Sequence, residues 1–206
     1  VWIDPLTLRT LPRREWVAGL AEVIKYGIIA DEAFFGYLGR KMPALQKQIP
    51  QVVASVVKRS CEIKAEVVAA DERESDRRRI LNYGHTIGHA LEALGGYTSL
   101  VHGEAVGIGL VQEADLACFQ GFCTHKVVEA IRRMVTEAGL SDRMPQATPT
   151  KIWKAMLHDK KVSAGQVIGV WPIRIGEVCM APLGKKVFDR WVAESRSVST
   201  NVSALS

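Results

Sequence analysis

Helical spacing of apolar residues dominates this chain. Between Arg13 and Ile29 the positions Trp16, Val17, Leu20, Val23, Ile24 and Ile28 fall on one stripe, and Pro12 suits a first helical turn. Asp31, followed by Glu32-Ala33-Phe34-Phe35, predicts a short helix with an aspartate cap. A long apolar face runs from Ile49 to Ala70 through Val52, Val53, Val56, Val57, Ile63, Val67 and Val68, and a charged loop follows it. Helical patterns return at Ile80 to Leu94, Gly103 to Phe119, His125 to Ala138 and Thr150 to Leu157, parted by clusters of Gly, Ser, Asp and Pro. Only Gln166 to Pro172 and Gly176 to Met180 read as strands, with Ile173 to Gly176 as the hairpin loop, before a last helix from Leu183 to Glu194. Val1 to Asp4 reads as the end of a strand, and Ser195 to Ser206, lacking periodicity, as a frayed tail. The pattern predicts a mainly α fold with one small β-hairpin.

Composition narrows the class. A chain of 206 residues with 48% hydrophobic and 24% charged residues is an ordinary globular one, which excludes disordered, collagen-like and coiled-coil classes. Its length suits one domain and lets it bury roughly 70% of its unfolded surface, so no disulfide or structural metal is needed for stability. Cys61, Cys118, Cys123 and Cys179 form no CxxC pair and are expected to be buried reduced thiols. No uncharged apolar run approaches the ~18–20 residues of a membrane span and no signal-peptide pattern opens the chain, so a soluble, cytoplasmic protein is expected. The net charge of +5 favours an anionic partner. Its basic residues recur in short clusters, Lys58-Arg59, Arg77-Arg78-Arg79, Lys160-Lys161 and Lys185-Lys186, and not in an aromatic-interleaved stripe, so no nucleic-acid partner is expected.

Candidate chemistry concentrates in Asn82-Tyr83-Gly84-His85-Thr86-Ile87-Gly88-His89, which places two imidazoles at i and i+4 on one helix face. Gly84 and Gly88 leave the adjoining face bare for a ligand or another backbone. His102 stands at the start of the next helix, where backbone N–H groups point outward. A catalytic divalent metal takes three protein ligands and keeps an open position. Glu22 is the best carboxylate to complete His85 and His102, because an unpaired acid within the apolar run Gly19 to Tyr26 is costly. Lys25, at i+3, offers a plain ion pair as the competing explanation. Lys64, Arg78, Asn82, Lys160 and Lys161 supply donors for anionic oxygens. No nucleophile elbow, glycine-rich phosphate loop or GxGxxG is present, so no nucleotide site is expected within this chain.

The run from Thr10-Leu11-Pro12 through Gly19-Leu20-Ala21-Glu22-Val23-Ile24-Lys25-Tyr26-Gly27 resembles the start of the C-terminal domain of 3-dehydroquinate synthase. The resemblance continues in register through Cys61 to Val68, Ala70 to Glu74, Leu81 to Ala90, His102 to Val106 and Asp159 to Val162. It implies that Glu22, His85 and His102 ligate a catalytic zinc or cobalt. It further implies that Lys25 contacts substrate hydroxyls, that Lys64, Arg78 and Asn82 hold the carboxylate and phosphate ends, and that Lys160 or Lys161 reaches the phosphate. His89 is implied as a proton-transfer or positioning group. The implied reaction converts 3-deoxy-D-arabino-heptulosonate 7-phosphate to 3-dehydroquinate and phosphate, a carbon–oxygen lyase step of the shikimate pathway and aromatic amino acid biosynthesis.

The family's Rossmann-like NAD domain is absent from this sequence. Residues 1–11 are therefore expected to be the remnant of its last strand and linker, 12–195 the helical metal- and substrate-binding domain, and 196–206 a disordered tail. The chain alone is expected to be inactive and to self-associate through an apolar face once covered by the missing half. The full-length form is expected to use NAD and to be a homodimer. The alternatives of the same fold are another sugar-phosphate cyclase or a metal-dependent polyol dehydrogenase.

Overall fold

A computed structural model describes residues 2–71, 77–96, 99–145, 148–159 and 167–203. The helices are α1 (Arg13–Ala30), α2 (Glu32–Gln46), α3 (Pro50–Asp71), α4 (His85–Leu94), α5 (His102–Phe119), α6 (His125–Glu137), α7 (Pro149–Asp159) and α8 (Lys185–Ser203). Strands β1 (Val167–Arg174) and β2 (Glu177–Leu183) pair antiparallel, from Val167 opposite Leu183 to Arg174 opposite Glu177. The mainly α architecture with one hairpin agrees with the expectation.

Helix α5 is the axis of the molecule. Its buried residues include Ala105, Val106, Ile108, Leu110, Val111, Ala114, Leu116 and Ala117, so it is apolar on every side, as a central helix must be. One side, with Val106, Leu110, Val111 and Ala114, joins a cluster built from α1, α2, α3 and α6. The other, with Ile108, Leu116 and Ala117, joins a cluster with Trp153, Trp171, Phe188 and Trp191 from α7, β1 and α8. Two glycines let neighbours reach this axis. A Cβ on Gly103 would stand 2.0 Å from the Ala18 carbonyl oxygen of α1, and one on Gly109 would stand 1.9 Å from the Gly84 carbonyl oxygen.

Several boundaries differ from expectation. Trp2 to Asp4 form no strand; Asp4 instead accepts the Leu6 amide and opens a 3-10 turn over Pro5–Thr10, since a strand exists only with a partner to pair with. Helix α2 runs past the expected Phe35 through Gly36, Gly39 and Pro43, because burial of Leu38, Met42 and Leu45 outweighs those weak helix formers. The helix expected from Ile80 begins only at His85. Residues Arg77–Asn82 form a 3-10 turn, and Gly84, at φ +81°, breaks the path between the two. The hairpin loop is tighter than expected, with strand residues reaching Arg174 and resuming at Glu177. Helix α8 continues through the expected tail to Ser203, with neither Gly nor Pro after Gly184 to stop it. The four cysteines are free, but Cys61 is exposed and the others are only partly buried, so the expectation of buried thiols holds for none of them. Partial burial still pushes the Cys123 thiol up to about 12, which keeps it protonated and unreactive.

Candidate metal centre

Three elements converge on one point. Helix α1 supplies Glu22 and Lys25 from its middle, α4 opens on His85, and α5 opens on His102. The close approach at Gly103 seats the first turn of α5 against α1. A two-pronged ion pair reinforces that contact: Arg14 of α1 donates from Nε and Nη2 to the two oxygens of Glu104, each at 2.7 Å. Glu104 also accepts the Val101 amide and so caps the helix that carries His102.

Glu22 divides its carboxylate between two tasks. Its Oε2 accepts from Lys25 Nζ at 2.5 Å, while Oε1 lies 3.3 Å from His85 Nε2 and 3.8 Å from His102 Nε2. The ion pair weighed against a metal is therefore present, and it consumes only one oxygen. Oε1 is buried without a well-formed hydrogen bond, the situation a cation resolves. Burial raises the Glu22 pKa, but the neighbouring His85 and the Lys25 ammonium outweigh it and bring it down to about 2, so the carboxylate is ionised at neutral pH. Lys25 is itself buried. Desolvation lowers its pKa, the Glu22 carboxylate opposes that shift, and Lys64 of α3 is near enough to lower it further.

The outer partners of the histidines point their rings the same way. His85 Nδ1 donates to the Tyr83 carbonyl at 3.1 Å, and His102 Nδ1 donates to Glu92 Oε1 at 3.2 Å, so each ring turns its Nε2 toward Glu22. Two imidazoles and a carboxylate are a donor set for zinc or cobalt, and one ligand atom from each lies within 4.8 Å of the others. The residues fit the metal. A second grouping of His89, Glu92 and His102 overlaps the first through His102.

His89 borders the same point, its ring centroid 5.1 Å from that of His85 and 5.8 Å from that of His102. A cavity of about 470 Å³ opens beside the packed helices α4 and α7, lined by Lys151, Lys154 and His158 as well as His89. Arg78 and Asn82 lie exposed on the 3-10 turn that packs against α1 and α3, and Lys64 is exposed on α3. Lys160 and Lys161 lie outside the described residues, as do Glu72 to Glu74 of the expected motif.

Sequence reasoning missed Glu92 and Glu113. Glu92 follows His89 by three positions and so shares its helix face, a signal open to reading. Glu113 is an acid in the largely apolar stretch of α5, the same signal that singled out Glu22.

The fold is a helical domain whose α1, α4 and α5 bring together a donor set suited to a divalent metal. A family model described as "3-dehydroquinate synthase C-terminal" matches residues 19–162, and the chain belongs to the 3-dehydroquinate synthase family. It is 49% identical over 179 residues to the 3-dehydroquinate synthase of Thermodesulfovibrio yellowstonii, covering 86% of this chain and 50% of that protein. With the enzyme of Synechocystis it shares 40% identity over 184 residues, covering 88% of this chain and 51% of the relative. The chain thus spans about half the length of the curated relatives it matches. Among solved structures it resembles ValA, a 2-epi-5-epi-valiolone synthase from Streptomyces hygroscopicus with NAD+ and Zn2+ bound (TM-score 0.82, 25% identity, 93% of this chain and 54% of that one). A 2-deoxy-scyllo-inosose synthase complexed with carbaglucose-6-phosphate, NAD+ and Co2+ shares the fold (TM-score 0.79, 22% identity, 93% of this chain and 54% of that one).

Proposed function

We propose that this chain is the metal- and substrate-binding half of a cytoplasmic 3-dehydroquinate synthase, a carbon–oxygen lyase that turns 3-deoxy-D-arabino-heptulosonate 7-phosphate into 3-dehydroquinate and phosphate. The observation that carries the reading is the convergence of Glu22, His85 and His102 around a buried carboxylate oxygen in a chain of this family. When bound, a zinc or cobalt ion polarises the substrate's hydroxyl and ketone oxygens. The protein's own part is preparation. Glu22 stays ionised, the Tyr83 carbonyl and Glu92 hold the two imidazoles with Nε2 inward, and the buried Lys25 ammonium offers a donor to a substrate hydroxyl. His89, beside both ligand imidazoles and open to the basic cavity, accepts or returns a proton at its ring nitrogen.

Lys64, Arg78 and Asn82 are suited to hold the carboxylate and phosphate ends of the substrate, and one of Lys160 or Lys161 to reach the phosphate. The oxidation and later re-reduction of a substrate carbon in this reaction need NAD, which in this reading belongs to the other half of a protein twice this length. The chain alone then neither oxidises nor reduces substrate and releases no phosphate. The relatives at 40–49% identity favour this reaction over those of the related cyclases of similar fold.

The test is metal content per chain after zinc reconstitution and gel filtration. About one zinc in the wild type and none in His85→Ala is expected from a three-ligand site. No zinc in the wild type overturns the reading. Substrate class is checked by titrating the zinc-loaded chain with the heptulosonate phosphate and with glucose 6-phosphate; tighter binding of the second would point to an inosose-type cyclase.

A further inference from the structure

Helix α4 begins on a glycine, which has no side chain to cap it. The amide at its third position, Ile87, would normally be met by the side chain of the capping residue. Here a carboxylate from another helix meets it. Glu113, in the middle of α5 and fully buried, accepts the Ile87 amide at Oε1 and the Gly84 amide at Oε2, both at 2.9 Å. The two bonds straddle His85, the first residue of α4, and fix the turn whose Tyr83 carbonyl orients the His85 ring. They also have an electrostatic consequence. Helices α4 and α5 both point their N-termini, the positive ends of their dipoles, at the place where Glu22 gathers the histidines. A cation there is opposed by both ends, and a carboxylate bound to the amides of α4 offsets one of them.

We propose that Glu113 is a positioning residue for the metal centre: from α5 it caps the glycine-led start of α4, aims His85 at Glu22 and screens the cation from the helix end. The proposal rests on the reading of Glu22, His85 and His102 as metal ligands. Glu113 touches neither metal nor substrate, so its effect reaches the site only through His85 and the field at the helix terminus.

The experiment is a zinc titration of the chain against a chromophoric chelator, for the wild type, Glu113→Gln, His85→Ala and Val135→Ala. Glu113→Gln keeps the size of the side chain but presents an NH2 to one amide and removes the charge. Its zinc affinity is expected to fall at least about tenfold, the range seen when an outer partner of a ligand is lost. Val135→Ala, a core truncation in α6, lowers the melting temperature but leaves zinc affinity unchanged, which separates positioning from general loss of stability. Wild-type zinc affinity in Glu113→Gln overturns the proposal. Absence of zinc binding in the wild type is instead the failure of the metal reading, and nitrogen NMR of the metal-free chain then decides on Glu113. A His85 proton held on Nδ1 in the wild type and shared between both nitrogens in Glu113→Gln supports positioning; one tautomer in both overturns it. Should Glu113→Gln not fold, Glu113→Asp keeps the charge and withdraws it by one methylene. Weaker zinc binding by that variant supports the proposal, and wild-type binding refutes it.

Discussion

The Lys25 ammonium is paired with one oxygen of Glu22 and leaves the other to the histidines. Lys25 thereby stabilises the metal-free centre and competes with a cation for the same carboxylate. Lys25→Met removes the pairing charge and leaves Glu22 among His85 and His102. The metal-free chain is expected to lose about 2 kcal/mol, or roughly 4–8 °C of melting temperature at this size. Zinc should restore more stability to the variant than it adds to the wild type. Thermal melts with and without zinc decide it, and an equal zinc-induced rise in both proteins would count against the competition.

Glu92 grips the outer nitrogen of His102 at 3.2 Å. Glu92→Gln cannot hold the ring in that tautomer with a charged acceptor, and a loss of about 10–100-fold in zinc affinity is expected. Chelator competition is the measurement. Unchanged affinity would show that His102 is oriented by its backbone alone.

Gly103→Ala tests the seating of α5. The added methyl would lie 2.0 Å from the Ala18 carbonyl oxygen, so α1 and α5 must part and carry His102 away from Glu22. Overpacking of this kind costs about 1–3 kcal/mol. A lower urea midpoint together with weaker zinc binding is the expected pair of results, and a variant as stable as the wild type would disprove the close contact.

Asp31 caps α2 through the Phe34 amide at 2.8 Å and takes two donors from Arg59 of α3 on its other oxygen. Burial raises its pKa, but the Phe34 amide and the Arg59 guanidinium prevail and hold it below the ordinary value of 3.8. Because the folded-state value is depressed, this contribution is complete above pH 3.8 and is lost as pH falls through the lower folded value. Asp31→Asn keeps the cap and removes the charge. Its deficit against the wild type should be about 0.5–1 kcal/mol at pH 7 and vanish in strong acid. A deficit independent of pH would mean that the charge contributes nothing.

The helices with strong apolar stripes and clear stops, α1 and α6 among them, were legible from residue spacing, and so was the hairpin. The His-rich segment and the isolated Glu22 were legible as a site because polar groups in apolar runs need a partner. What spacing hid was tertiary. Asp31 to Phe35 reads as a short helix only, yet the burial of Leu38 and Met42 carries α2 onward through two glycines and Pro43. Gly84 read as a bare patch on a helix, whereas it is the turn before one, held by an acid 29 residues away. Glu113 and Arg14 act across helix contacts that no local window contains.

Helix α5 contributes to both hydrophobic clusters and buries twelve of its 18 residues. Neither cluster can come apart without stripping this shared wall from the other, so the chain should unfold as one unit in a single sigmoidal transition. Its amides should be the last to exchange with solvent, opening only with the whole molecule. The proposed metal site, built where α5 begins, is thereby tied to the slowest-opening part of the protein.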